Sequence, residues 1–154
     1  MIESSLSSLS LIGYSIVDVY QFIICSAIIS YVFMLVNPYV TTEKQQAWII
    51  TTFASFILSC FGIHAVCRAE LYNGWTYDNV YGGEDSISRL VLLFFGATNI
   101  VDMIIGYFYY PKFLDPFSTI AHHIFYIGFI SILIAHNYSR GFDLCFLMEN
   151  SNFY

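Results

Sequence analysis

The sequence predicts an all-α fold: a multi-pass transmembrane bundle of about four spans followed by a short C-terminal stub. Three observations predict it. Hydrophobic residues make up 58% of the 154 and charged residues only 10%, against about 25% charged in a soluble domain. Mean hydropathy is +0.67. Apolar residues also gather into runs of roughly 20, the length that crosses a bilayer as a helix, with short polar stretches between them.

The first run extends from about Leu9 to Val36 and is stopped by Asn37-Pro38. The second follows Thr41-Thr42-Glu43-Lys44, passes through Trp48 to about Val66, and ends at Arg68-Ala-Glu70. The third begins near Ser86 to Arg89 and ends before Pro111. The fourth opens at Asp115-Pro116, a capping residue followed by proline in the first helical position, and runs to about Asn137. Between the second and third lies a longer loop, Leu71 to Asp85, whose Tyr72, Trp75, Tyr77 and Tyr81 read as an interfacial aromatic belt. After Gly141 the apolar run Phe142 to Met148 is too short to span.

The formal charge is -6 with only five Lys and Arg, which excludes nucleic-acid binding, a mode that needs clustered cations. Lys44 and Lys112 fall on one side of the predicted membrane, with Arg68, Arg89 and Arg140 on the other. Two against three sets no orientation. Cys25, Cys60, Cys67 and Cys145 form no CxxC pair, so no zinc or redox motif is expected. Cys60 and Cys67 would lie roughly 10 Å apart along one helix face, too far for a disulfide; small apolar packing is the expected role of all four cysteines. Met1-Ile-Glu-Ser-Ser lacks the basic start of a cleavable signal peptide.

Polar residues inside the spans carry the functional signal, because an intramembrane ionisable side chain is expensive unless it faces protein or a wet cavity. In the third span Thr98, Asp102 and Gly106 fall within about 80° of one another on a helical wheel, beside Asn99. These residues either line a cavity or tie helices together by hydrogen bonds. The second span carries Thr51, Ser55, Ser59 and Gly62, a small-residue stripe that reads as close helix packing. Asp18, with Ser15 and Gln21, is expected well inside the first span and facing the same interior. His64, close to the end of its helix, reads as interfacial.

His122 and His123 lie roughly 10 Å into the fourth span. Adjacent residues diverge by about 100°, so one imidazole can face a cavity while its neighbour meets another helix. On a continuous helix Arg140 lies on the face of His122, and Asn137 on that of His123. His122 is therefore expected to face the cavity and His123 to hold the helix through a hydrogen bond. His122 and His136 also stand fourteen residues apart, a spacing that could hold two haems. His64 is the only histidine left to supply a second helix, so neither haem nor another resident metal or cofactor is expected.

Asp102-Met-Ile-Ile-Gly-Tyr-Phe-Tyr-Tyr-Pro-Lys112, then Ala121-His-His-Ile-Phe-Tyr126, resembles the TLC domain of ceramide synthases and the translocating-chain-associated membrane protein. Lys44-Gln-Gln-Ala-Trp48 is similar to its early lysine-to-tryptophan segment. The likeness is closest to the small TLC-domain-containing proteins. It divides the chain into an N-terminal helix and loop, residues 1–43, and a TLC-like domain, residues 44–154, whose further helices would be missing at the C-terminus.

The resemblance implies a protein of lipid homeostasis that senses or binds a lipid in a TLC-type cavity, most naturally in the endoplasmic reticulum, with the plasma membrane as the other location. It also implies an enzymatic alternative: a sphingoid-base N-acyltransferase with acyl-CoA as co-substrate, in which His122 or His123 is the catalytic base. Thr98, Asn99, Asp102, Asn137 and Arg140 would then line the lipid cavity. The sequence departs from the synthase pattern after the histidine pair, where Tyr126 or its neighbours replace the expected threonine, and retains only Asp143 and Glu149 of the later acidic segment. A purely structural membrane protein is a third expectation. The expected partners are membrane lipids and a missing wall supplied by self-association or another chain.

Overall fold

The computed structural model describes residues 14–68, 70, 76 and 85–142. They form helices without a strand. The helices are α1 (Ile16–Val36), α2 (Glu43–Arg68), α3 (Ser86–Tyr109), α4 (Ala121–Ala135) and the short α5 (Ser139–Phe142). Four segments are long and apolar enough to cross a membrane: α1 with its following turn, α2, α3, and Pro116–Ala135. The chain is an all-α, multi-pass membrane bundle. The aromatic loop residues Tyr72, Trp75, Tyr77 and Tyr81, the stub after Phe142 and Cys145 lie outside the described residues, as does the predicted start of the first span before Tyr14.

Each long helix begins where a polar side chain can satisfy the unpaired first-turn amides. Ser15 caps α1 in a reciprocal box with Asp18. The Thr42 hydroxyl accepts from the Gln45 amide at 3.2 Å, and Gln45 Oε1 accepts from the amides of Thr41 and Thr42. Asp85 caps α3 through the Ser88 amide at 2.8 Å. Asp115 accepts from the amides of Phe117 and Ser118, and Pro116 occupies the first position, as the sequence predicts. The chain first winds wide over Pro116–Ile120 before tightening into α4.

α3 is the centre of the bundle: 72% of its span is buried in protein, against 11% of the fourth span. α1, α2 and α4 each pack on α3, and α1 also meets α2, whereas α4 packs on neither α1 nor α2 to a comparable extent. Ile29, Phe33, Ile50, Leu58, Leu92 and Ile134 fill the fully buried core. The apolar outer faces of α1 and the fourth span, including Tyr20, Tyr31, Phe117 and Phe125, are exposed. In a bilayer such surface meets acyl chains. Cys25 is buried, while Cys60 and Cys67 sit on the exposed face of α2.

The two membrane faces differ in charge chemistry. At one, the N-terminal end of α3 gathers Asp18, Arg68, Asp85, Arg89 and Arg140 into ion pairs. At the other, Lys112 pairs with Glu43 at 3.2 Å on an exposed surface.

Candidate functional site

A polar crevice of about 290 Å³ opens over α3 in the seam that α2 and α4 leave between them. α3 contributes Thr98, Asn99 and Asp102, and the start of the fourth span contributes His122 and His123. Thr51 and Ser55 of α2 complete the wall with Ser118 and Thr119. Thr98, Asn99 and Asp102 therefore share a face, as the helical wheel predicts. Thr51 and Ser55, expected only to let helices approach, line the crevice as well. No Lys or Arg is among these lining residues.

Each polar group on α3 is held by its own helix or its neighbour. Thr98 Oγ1 donates to the Phe94 carbonyl at 3.0 Å, and Asn99 Nδ2 donates to the Phe95 carbonyl at 2.7 Å. Asp102, 8% exposed, accepts at Oδ1 from the Tyr110 hydroxyl at 2.6 Å. His123 bridges α4 to α3, with Nδ1 at 3.2 Å from the Asn99 carbonyl oxygen and Nε2 at 3.4 Å from Asp102 Oδ2.

The carbonyl partner sets one ring proton: a carbonyl oxygen only accepts, so Nδ1 of His123 carries a proton. Nε2 then faces Asp102 Oδ2 at 3.4 Å, an ion pair when the ring is protonated. Placing an imidazole beside the carboxyl suits a site where an unpaired charge is costly. His122 differs: it is exposed at the crevice, makes no side-chain hydrogen bond among the described residues, and sets its ring 4.6 Å from that of Tyr126 and 5.8 Å from that of His123. It is the imidazole available to a molecule in the crevice.

Asn137 and Arg140 do not join this site. α4 ends in a left-handed residue, Asn137 at φ 58°, with the Tyr138 amide donating to the Leu133 carbonyl and the Asn137 amide to the Ile134 carbonyl. This closing motif terminates the helix, so the wheel positions that would align Arg140 with His122 and Asn137 with His123 do not apply. Arg140 Nε instead lies 3.2 Å from Asp85, and Asn137 Oδ1 accepts from Arg89 at 3.4 Å.

Asp18 is also displaced from its expected place. It stands in the first turn of α1 and forms two hydrogen bonds with Arg89, at 2.7 and 2.8 Å. These residues belong to the opposite membrane face. There, burial alone would raise the carboxyl of Asp85, but hydrogen bonds from Ser88 and the Arg68 guanidinium outweigh it and hold the group at about 2.

A second, mostly apolar groove of about 270 Å³ runs between α1, α3 and α4, with Phe22, Leu93, Gly96 and Ile130 in its walls and the Tyr14–Ser131 hydrogen bond beside them. His64 lines a separate dent with Cys67, Arg68 and Asp85 at the arginine-rich face. Among the described residues no group of His, Cys, Asp and Glu is arranged to hold a metal.

The sequence reading missed Ser118 and Thr119 in the wall and, behind it, Tyr110, which lies beyond the end of α3 yet bonds to Asp102 two turns back. No periodicity marks such a fold-back, and Tyr109 beside it gives the same sequence signal. No family model, curated protein or solved structure matches the chain.

Proposed function

We propose that this membrane protein serves lipid homeostasis by binding or sensing a lipid in the crevice of α2, α3 and α4, in the manner that its resemblance to TLC domains implies. One observation carries the reading. Asp102 paired with His123, a His122 without a side-chain hydrogen bond and several hydroxyls line a crevice within the membrane spans, open along the α2–α4 seam. Polar groups at membrane depth are normally turned to a partner or a cavity, and a lipid sliding in between α2 and α4 supplies one. Its headgroup would be rich in hydroxyl or amide groups, since no cation among the lining residues can neutralise a phosphate. The endoplasmic reticulum is the location that accompanies this reading.

The test is lipid co-purification. Lipid bound per protein in mild detergent is measured by mass spectrometry for the parent chain, His122→Ala and His123→Ala. His122→Ala should purify at unchanged abundance with its specific lipid depleted by tenfold or so, the loss that about 1.4 kcal/mol of binding energy represents. His123→Ala should lower abundance, because α4 then loses its tie to α3. Equal lipid content in the parent and His122→Ala sinks the reading.

The second reading, sphingoid-base N-acylation, is favoured by the placement of His122. An unengaged imidazole can take the proton of an attacking amine as the carbon–nitrogen bond forms and the acyl thioester releases its thiol. It would need cations for the acyl-CoA phosphates, and the crevice lining has none. New ceramide in cells expressing the chain, lost in His122→Ala, would favour it over binding alone.

A further inference from the structure

We infer that Tyr110 is the positioning residue of the crevice: its hydroxyl sets the Asp102 carboxyl, and through it His123, in the orientation that the site presents. The proposal rests on the ligand-binding reading only for the meaning of that site. The positioning itself stands on geometry.

α3 ends at Tyr109, and Tyr110 leaves the helix with φ -142° and ψ 54° while its amide still bonds to the Gly106 carbonyl at 3.0 Å. The side chain folds back along α3, is 2% exposed, and places its hydroxyl 2.6 Å from Asp102 Oδ1. Its path crosses Gly106. A Cβ there would stand 2.8 Å from Tyr110 Cε2 and 2.9 Å from Leu114 Cδ2, closer than carbon atoms approach, so the passage exists because residue 106 has no side chain. Phe33 of α1 closes the other side, its ring centre 6.3 Å from that of Tyr110. Enclosed in this way, the hydroxyl points at Asp102, 2.6 Å from the carboxyl Oδ1 and 3.4 Å from that residue's carbonyl oxygen.

The consequence passes along the chain of contacts. With Oδ1 engaged by Tyr110, the carboxyl cannot turn, and Oδ2 is presented to Nε2 of His123. The other nitrogen of that ring is held on the Asn99 carbonyl, which fixes its plane. The neighbouring His122 ring stands edge-on to that of His123, their centres 5.8 Å apart. Remove the phenolic oxygen and the carboxyl is half-bonded, free to rotate, and no longer a fixed partner for His123. Helix propensity and packing are left nearly as they were, since phenylalanine keeps the ring.

The experiment is nitrogen NMR on the full chain with labelled histidine, in phosphatidylcholine nanodiscs. The His123 resonances are identified by their loss in His123→Asn. Tyr110→Phe should displace them while those of His64 and His136 stay in place. Asp102→Asn should displace them too, and adding Tyr110→Phe to Asp102→Asn should cause no further change, because the tyrosine acts through that carboxyl.

Unmoved His123 resonances in Tyr110→Phe, or displacements that simply add in the double variant, overturn the proposal. If Tyr110→Phe does not accumulate, fluorotyrosine at position 110 changes the acidity of the hydroxyl while preserving its shape. A displacement of the His123 resonances is again expected, and its absence is equally fatal. Because the readout is the imidazole and not bound lipid, it fails independently of the His122→Ala co-purification result.

Discussion

The two ends of α3 treat buried charge in opposite ways. At its N-terminal end, Asp85 lies between Arg68 and Arg140 at 2.6 and 3.2 Å, while Arg89 grips Asp18 from α1. At its C-terminal third, Asp102 has no arginine beside it; it meets an imidazole and a phenol. The first end neutralises carboxylates with fixed cations drawn from the helix ends and the segment after α4. The second sets one carboxyl between an imidazole and a phenol, and leaves polar atoms facing a crevice. A fixed ion pair fastens helices and resists change. An imidazole–carboxyl contact beside an unengaged His122 can respond to a ligand. The difference separates the residues that hold the bundle from those that give it something to do.

The largest effect should come from breaking the first end. Arg89→Ala leaves Asp18, 2% exposed, without its guanidinium, and removing one partner of such a buried pair costs about 3 kcal/mol or more. Abundance and thermal midpoint in detergent should both fall sharply, with little change in the lipid retained per folded molecule.

Next comes acid. Asp85 is held at about 2 against an ordinary 3.8, so its contribution is present above 3.8 and lost as pH falls through about 2. The depression is worth about 2 kcal/mol. Thermal midpoints measured from about pH 5 down to pH 2 should drop for the parent chain. They should drop less for Asp85→Asn, which keeps the helix cap and discards the charge.

Gly106→Ala should follow, at about 1–3 kcal/mol, because the added methyl meets Tyr110 and Leu114. Its damage should fall on the crevice and be readable in the His123 resonances. The smallest effect belongs to Gly128→Ala on α4, where an added Cβ meets nothing within 4 Å. Its midpoint should stay within about 0.5 kcal/mol of the parent, and a larger loss would mean that another helix packs there.

Much of this architecture is legible in the sequence because lipid imposes simple rules. Asn37-Pro38 and Asp115-Pro116 mark helix boundaries through chemistry that acts locally. Thr98, Asn99 and Asp102 declare a common face because α3 is one uninterrupted helix. The reading fails where the helix does. Asn137 turns left-handed, so Arg140 swings to Asp85 and away from the histidines. Asp18 appeared to sit deep in a long apolar run, yet Ser15 caps the helix only three residues earlier. Tyr110 was invisible as a site residue because its role depends on a fold-back over Gly106, a contact that no spacing rule encodes.

The most direct test of the crevice as a lipid site is a thermal-shift titration. Delipidated parent chain and His122→Ala are each melted with increasing amounts of total membrane lipid extract. A ligand that binds the folded state raises stability as its concentration exceeds Kd, by about 2.7 kcal/mol at a hundredfold excess. The parent midpoint should keep climbing as lipid is added, while His122→Ala, folding equally well without lipid, should need about tenfold more lipid for the same climb. Equal climbs in both would contradict the assignment and return the crevice histidines to a packing role.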